Sequence, residues 1–195
     1  MSAHDHNSNE ITVVLDADGM DAAIHRMAQE IVADNEDVES VALLGVLSRG
    51  RPLAERISAR IESMTGRRPR IGSLATTLYR DDLRSGKRPA SIGNVTHFDF
   101  DVDGLTVVIV DDVLSTGRTV RAAMDEIIDY GRPKCIRLAS LIDRGLRELP
   151  IQADYLGWSL ATTPYDHVQV KLVETDGEDA VLLERGASEI RENGG

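Results

Sequence analysis

The chain has 195 residues, 42% of them hydrophobic, which is enough for one domain with a sizeable core and too apolar for wholesale disorder. A net charge of −11 speaks against unspecific nucleic-acid binding. No apolar run approaches the ~18 residues that span a bilayer, the first ten residues lack the apolar stretch of a secretory signal, and the one cysteine, Cys135, excludes an internal disulfide.

In chain order, residues 1–10 read as a flexible tail, in which His4 and His6 make a weak metal site. Residues 13–15 start a strand. Asp18 has the chemistry of an N-cap, and Met20, Ala23, Ile24, Met27, Ala28 and Ile31 then recur at helical spacing, predicting an amphipathic helix to about Ala33. Residues 40–47 (SVALLGVL) are an unbroken apolar run, typical of a strand covered on both faces. That run ends at Ser48-Arg49-Gly50. Leu53, Ile57, Ile61 and Met64 mark the inner face of a second helix that stops near Gly66.

Residues 70–79 are predicted strand, and 80–93 a long mobile loop of a length that often carries function. Residues 105–110 (LTVVIV) form the second buried strand, followed by a tight polar turn over 111–117. A helix follows with Val120, Ala123, Met124, Ile127 and Ile128 facing inward, ended by Gly131 and Pro133. Residues 135–142 are another strand with Cys135 as a small core residue, which suits a reducing cytoplasm. Shorter strands lie near 153–156, 168–173 and 180–183, and 187–195 is a second flexible tail. The alternation predicts an α/β fold with a mostly parallel sheet flanked by helices, as one domain over 11–186.

The charge is unevenly spread. Residues 49–88 hold eleven Lys/Arg against four Asp/Glu, a local +7, and the remainder carries −18. A phosphate-rich ligand would call for such a stretch, although for any single arginine a solvated helix or loop face is the better reading.

The chemistry concentrates at VVIVDDVLSTGRT. A buried strand, a polar turn and a helix start present unpaired N–H groups and a positive dipole end to an anion. Ser115, Thr116, Gly117, Arg118 and Thr119 add hydroxyls, a glycine for close approach and a forked cation, all suited to a terminal phosphate. Neither the Walker spacing nor G-x-G-x-x-G is present, which disfavours a dinucleotide. Asp111 and Asp112 stand at the carboxyl end of the strand, the usual ligand crevice of a parallel sheet. Adjacent carboxylates there suit the 2'- and 3'-hydroxyls of a ribose or a nearby Mg²⁺. The competing reading is a capping cluster for the next helix.

This segment resembles the phosphoribosyl pyrophosphate motif of type I phosphoribosyltransferases: an apolar run, two acids, then T-G-x-T. LYRDDL (78–83), VRAAMDEIIDYGRP (120–133), LIDRGLRELPI (141–151) and VETDGED (173–179) resemble, more narrowly, the bacterial pyrimidine-operon regulators that double as uracil phosphoribosyltransferases, the PyrR family. The similarity runs from about residue 13 to 184.

It implies the type I phosphoribosyltransferase fold, with a small hood and a mobile loop. It also implies uracil plus phosphoribosyl pyrophosphate giving UMP and pyrophosphate, Mg²⁺ as cofactor, a homo-oligomer (dimer or tetramer), and UMP-responsive binding to the leader of pyrimidine-gene mRNA. By the resemblance Ser48, Arg49 and Gly50 hold the pyrophosphate. Asp111 and Asp112 bind the ribose, with Val113, Leu114 and Ser115 following in the same motif. Thr116, Gly117, Arg118 and Thr119 take the 5'-phosphate. Arg144 contacts the nucleotide, and the main chain at Leu160 the uracil edge. Tyr79, Arg80 and Asp81 lie in the hood loop. Arg49, Asp111 and Asp112 carry the catalytic weight, Mg²⁺ arrives with the pyrophosphate near either acid, and Arg26 and Arg147 match the RNA face.

Some positions depart from the family pattern. Ser115 stands where the family has Tyr, and Leu146 where it has His after D-R-G. LGWSLATT (156–163) replaces roughly V-G-K-N-(V/I)-P-T-S beside the base pocket, bringing in Trp158. On the RNA face, His25, Gln29 and Gln152 replace family residues, and Asp21 and Ala22 replace basic ones. Two alternatives therefore stay open: a nucleotide-binding relative that has lost RNA binding, and a phosphoribosyltransferase for another base.

Overall fold

The computed structural model describes residues 11–76 and 95–186. The tails expected at 1–10 and 187–195, and the hood-loop residues Tyr79, Arg80 and Asp81, lie outside the described residues. Five strands form a wholly parallel sheet: β2 (Val41–Val46), β3 (Arg70–Leu74), β4 (Thr106–Leu114), β5 (Cys135–Asp143) and β6 (Tyr155–Ser159), in the order β3-β2-β4-β5-β6. A second, antiparallel sheet joins β1 (Ile11–Leu15), β8 (Ala180–Glu184) and β7 (His167–Lys171) in the order β1-β8-β7. It is the small hood that the resemblance implied. No helix among the described residues is long and apolar enough to cross a membrane.

The parallel sheet divides the core in two. Strand side chains alternate faces, so Val41, Leu43, Val108 and Val110 join one cluster while Ala42, Leu44, Val107 and Ile109 join the other. The first cluster holds the inner faces of α1 (Ala17–Asp34) and α2 (Gly50–Thr65) and reaches the hood through Val168, Val170, Val181 and Leu183. The second holds Val120, Ala123 and Ile127 of α3 (Arg118–Tyr130). Every residue of β2 is buried, as its unbroken apolar run requires. A short helix, α4 (Val173–Asp176), links β7 to β8.

Several local expectations are corrected. The α1 cap is Asp16, whose carboxylate accepts from the Gly19 N–H at 2.9 Å, while Asp18 lies in the first turn, where its charge meets the positive helix end. The six apolar residues expected on the inner face of α1 are all buried. Met64 and Ile128 are exposed: Ile128 is turned ~100° from Ile127 on the helix, and one stripe faces the sheet. Cys135 is only half-buried, at the start of its strand. The turn expected from Asp111 is delayed, because ladder pairing with β5 carries β4 through Asp111 to Leu114. Val173 opens α4 instead of closing β7.

Candidate active site

Two glycines bring α2 onto the sheet. A Cβ on Gly50 would lie 2.2 Å from the Val110 carbonyl oxygen, and one on Gly45 would lie 2.4 Å from the Gly50 carbonyl oxygen. Only hydrogen fits at either, so the Ser48–Gly50 turn rests directly on β4 one residue before Asp111. The Leu47–Ser48 peptide is cis, and the Leu47 N–H donates to the Leu74 carbonyl at 2.9 Å. Arg49 caps α2, and its guanidinium reaches the carboxylate of Asp176, Nη2 to Oδ1 at 2.9 Å.

Across from it, Asp111 is buried at 6% exposure and accepts from the Asp112 N–H at 3.0 Å. The capping reading of these acids fails. The N-cap of α3 is Gly117, in the left-handed region at φ 91°, with no side-chain cap. The Thr116 hydroxyl accepts from the Arg118 N–H at 3.2 Å, shaping the turn that opens the helix.

The loop is braced from outside by residues 144–151. The Glu148 and Leu149 N–H groups both donate to the Thr116 carbonyl, at 3.0 and 3.1 Å, and the Arg144 N–H to that of Leu114 at 3.0 Å. Arg118 Nε donates to the Glu148 carboxylate at 2.7 Å. Arg147 turns inward: it donates to the Ser115 and Ile151 carbonyls at 2.7 Å, to the Gly145 carbonyl at 3.1 Å, and pairs with Asp143. Sequence reasoning missed this brace. D-R-G-L-R-E-L-P-I was legible as a motif, and its backbone partners were not.

One cavity of about 740 Å³ collects Arg49, Asp111, Asp112, Val113, Ser115, Thr119 and Arg144, roofed by residues 164–170 of the hood. Asp166 organises that roof. Its carboxylate accepts from the Thr163 N–H at 2.7 Å, from Arg185 and from Gly186, and the Thr163 N–H chiefly holds it below the usual carboxylate range. Arg144 Nη2 donates to the carbonyls of Thr163 and Asp166, at 3.1 and 2.7 Å, so it ties the strand end to the roof. Ser48 and Gly50 lie in the adjoining turn, and Leu114 is buried in the second core cluster.

Leu160 lies elsewhere, lining a second cavity of about 700 Å³ with Asp143, Gly145, Arg147 and Leu149–Gln152, which Arg144 also borders. Its N–H donates to the Asp143 carbonyl at 2.7 Å. Trp158 is exposed on the edge strand β6 and lines neither cavity. Arg26 lies on α1, donating to the Leu156 and Gly157 carbonyls. The basic stretch is largely answered within the chain: Arg51, Arg56, Arg60, Arg67 and Arg68 all pair with acids, and Arg70 sits over the Phe100 ring. Of its described arginines, Arg49 is the one among the cavity-lining residues.

Residues 11–175 match the phosphoribosyl transferase domain family. The bifunctional protein PyrR of Chloroflexus aurantiacus is 51% identical over 175 residues, covering 90% of this chain and 96% of that protein. That of Clostridioides difficile is 48% identical over 171 residues, covering 87% and 96%.

The chain belongs to the PyrR family.

This PyrR-family chain thus carries a phosphoribosyltransferase domain. Its fold is also that of a hypoxanthine phosphoribosyltransferase of Trypanosoma cruzi (TM-score 0.69, 16% identity, 94% of this chain and 95% of that one). A hypoxanthine-guanine phosphoribosyltransferase of Bacillus anthracis shares it too (TM-score 0.65, 17% identity, 90% and 99%). At such identity these two speak to fold alone. In the PyrR-family chain, as in any doubly layered parallel sheet, the ligand crevice opens at the carboxyl ends of the strands, where Asp111 and Asp112 stand.

Proposed function

We propose that this chain transfers the phosphoribosyl group of phosphoribosyl pyrophosphate to uracil, giving UMP and pyrophosphate. With UMP bound, it recognises the leader of pyrimidine-gene mRNA to control attenuation or translation. The observation that carries the reading is one cavity lined by two strand-end acids, by Ser115 and Thr119 of the turn into α3, and by Arg49. The family supports the pairing of enzyme and regulator, its named relatives being bifunctional.

In this reading Asp111 and Asp112 accept hydrogen bonds from the ribose hydroxyls. The N–H groups and hydroxyls of Thr116–Thr119 take the 5'-phosphate at the start of α3. As the C1–O bond breaks, its electron pair leaves with the pyrophosphate, and Arg49 stabilises that charge. Uracil N1 then closes on C1 and loses its proton. No side chain in the cavity stands out as a general base, so catalysis rests on positioning and charge.

The donor set fits Mg²⁺ that enters with substrate. Among the described residues no three His, Cys, Asp or Glu side chains form a cage, and Mg²⁺ characteristically takes one or two carboxylates plus substrate phosphates. When bound, it neutralises the leaving pyrophosphate. A homo-oligomeric, cytoplasmic protein completes the reading.

Uracil-dependent pyrophosphate release tests the enzyme. Asp111→Asn with Asp112→Asn is expected to abolish turnover while circular dichroism and Tm stay near wild type, since Asn keeps the acceptor for the Asp112 N–H; retained turnover would sink the assignment. Gel-shift titration with the protein's own leader RNA, with and without UMP, tests the regulator. Arg26, half exposed on α1, is the basic contact we assign to RNA. Arg26→Ala is expected to flatten the log–log salt dependence by roughly 0.7–0.9, the slope of one phosphate contact. An unchanged slope would remove Arg26 from the interface.

A further inference from the structure

We propose that Asp176 is a positioning residue for the transfer: it holds Arg49 in the orientation that receives the pyrophosphate. The proposal rests on the phosphoribosyltransferase reading above.

Arg49 and Asp176 are 127 residues apart in sequence, yet Arg49 Nη2 lies 2.9 Å from Asp176 Oδ1 and 3.3 Å from Oδ2. Both side chains are mostly shielded, at 25% and 20% exposure. Asp176 occupies one nitrogen of the guanidinium. Arg49 Nε is buried and finds no hydrogen-bond partner among the described residues, and the side chain borders the cavity that holds Asp111 and Asp112. A flexible arginine is thus anchored at one corner, with donors left over for the oxygens of an anion. Its rotamers are restricted before substrate arrives, which lowers the ordering cost of binding.

Asp176 is itself held on all sides. Its Oδ2 accepts from the Thr175 hydroxyl at 2.6 Å and the Leu172 N–H at 3.0 Å. The Thr175 hydroxyl, then the Leu172 N–H, then Arg49 keep the carboxyl below the usual range, so it is ionised at neutral pH. The segment around it is pinned to α2 by Arg56, which bonds Glu174 through Nε and Nη2 at 2.8 and 2.6 Å and Asp179 through Nη1 and Nη2 at 2.9 and 2.7 Å. Arg49 caps the same helix. Asp176 therefore sits between two clamped carboxylates, on the link between two hood strands, and ties the hood to the pyrophosphate turn. An anchor without catalytic consequence would need neither the second clamp nor an arginine that reaches the cavity.

The test compares the whole chain as wild type with two variants, Asp176→Asn and Asp176→Glu. Asn keeps an oxygen acceptor for Thr175 and Leu172 and removes the charge that orients Arg49. Calorimetric titration with Mg²⁺–pyrophosphate and with UMP is combined with kcat and KM for phosphoribosyl pyrophosphate. In D176N the Kd for Mg²⁺–pyrophosphate and the KM for phosphoribosyl pyrophosphate are expected to rise about tenfold, while the UMP Kd stays within about twofold, because UMP carries no pyrophosphate. D176E is expected to recover part of the loss. If D176N matches a wild type that binds pyrophosphate, or weakens UMP and pyrophosphate equally, the positioning role is overturned and the phosphoribosyltransferase reading stands. If wild type neither binds Mg²⁺–pyrophosphate nor releases it with uracil, both fall together.

Discussion

Gly50 has no room for a methyl group. A Cβ there would lie 2.2 Å from the Val110 carbonyl, and backbone must move to admit it. Val110 leads directly into Asp111, so the displacement passes to the acid pair. Gly50→Ala is expected to cost more than ~3 kcal/mol, read as a lower denaturant midpoint, and to weaken UMP binding with it; a stable variant with normal affinity would show that α2 and β4 slide apart freely. Leu146 presents the opposite case. It holds a left-handed backbone, φ 62°, which a leucine adopts at a cost. Leu146→Asn, which tolerates that region, is expected to gain about 1 kcal/mol, or about 2–4 °C in Tm. A fall in Tm would mean that the packing of the Leu146 side chain outweighs the strain.

Among the elements, the segment between β5 and β6 has the least obvious role in sequence and a central one in the fold. Its backbone and Arg147 hold the carbonyls of Leu114, Ser115 and Thr116, which follow the two acids after Val113. Arg147 was matched by resemblance to the RNA face, yet its guanidinium is spent on four acceptors within the chain. Arg147→Met is expected to destabilise by about 2–3 kcal/mol, since it strands the Asp143 carboxylate and the Ser115 carbonyl. It is also expected to raise the UMP Kd several-fold. Unchanged UMP affinity with weaker RNA binding would return Arg147 to the RNA face. α4 is the element hardest to foresee: four residues long and exposed, it has no apolar periodicity to announce it.

At the scale of the whole molecule, most arginines of the basic stretch among the described residues are paired with acids of the chain. On α2, Arg56 draws in two acids from the far end of the chain, Glu174 and Asp179. Arg56 holds the carboxyls of Glu174 and Asp179 below the ordinary range. Their folded-state pKa is depressed, so their contribution is fully present above the unfolded value of about 4 and lost as pH falls through the folded value. Tm is therefore expected to drop between about pH 5 and pH 3, and less steeply in Arg56→Met, whose carboxyls titrate as in the unfolded chain. Parallel pH profiles for the two proteins would show the acid sensitivity to lie elsewhere.

The local parts of this architecture were readable from the chain alone. The apolar runs of β2 and β4, the inner stripe of α1 and the strand–turn–helix segment at 106–119 depend on neighbours in sequence, and their period or chemistry is contiguous. The acid pair and the turn into α3 were legible for the same reason: they lie within nine residues. Ile128 and Met64 were misjudged because periodicity says which residues share a face and not how far the covering sheet extends. Only the tertiary structure decided which of the described arginines of the basic stretch would border the cavity, because that depends on partners that include Asp21, Asp37 and Glu174, which lie outside the stretch in sequence. It also decided that Asp176 would meet Arg49, since no local pattern encodes the path by which the hood returns over α2.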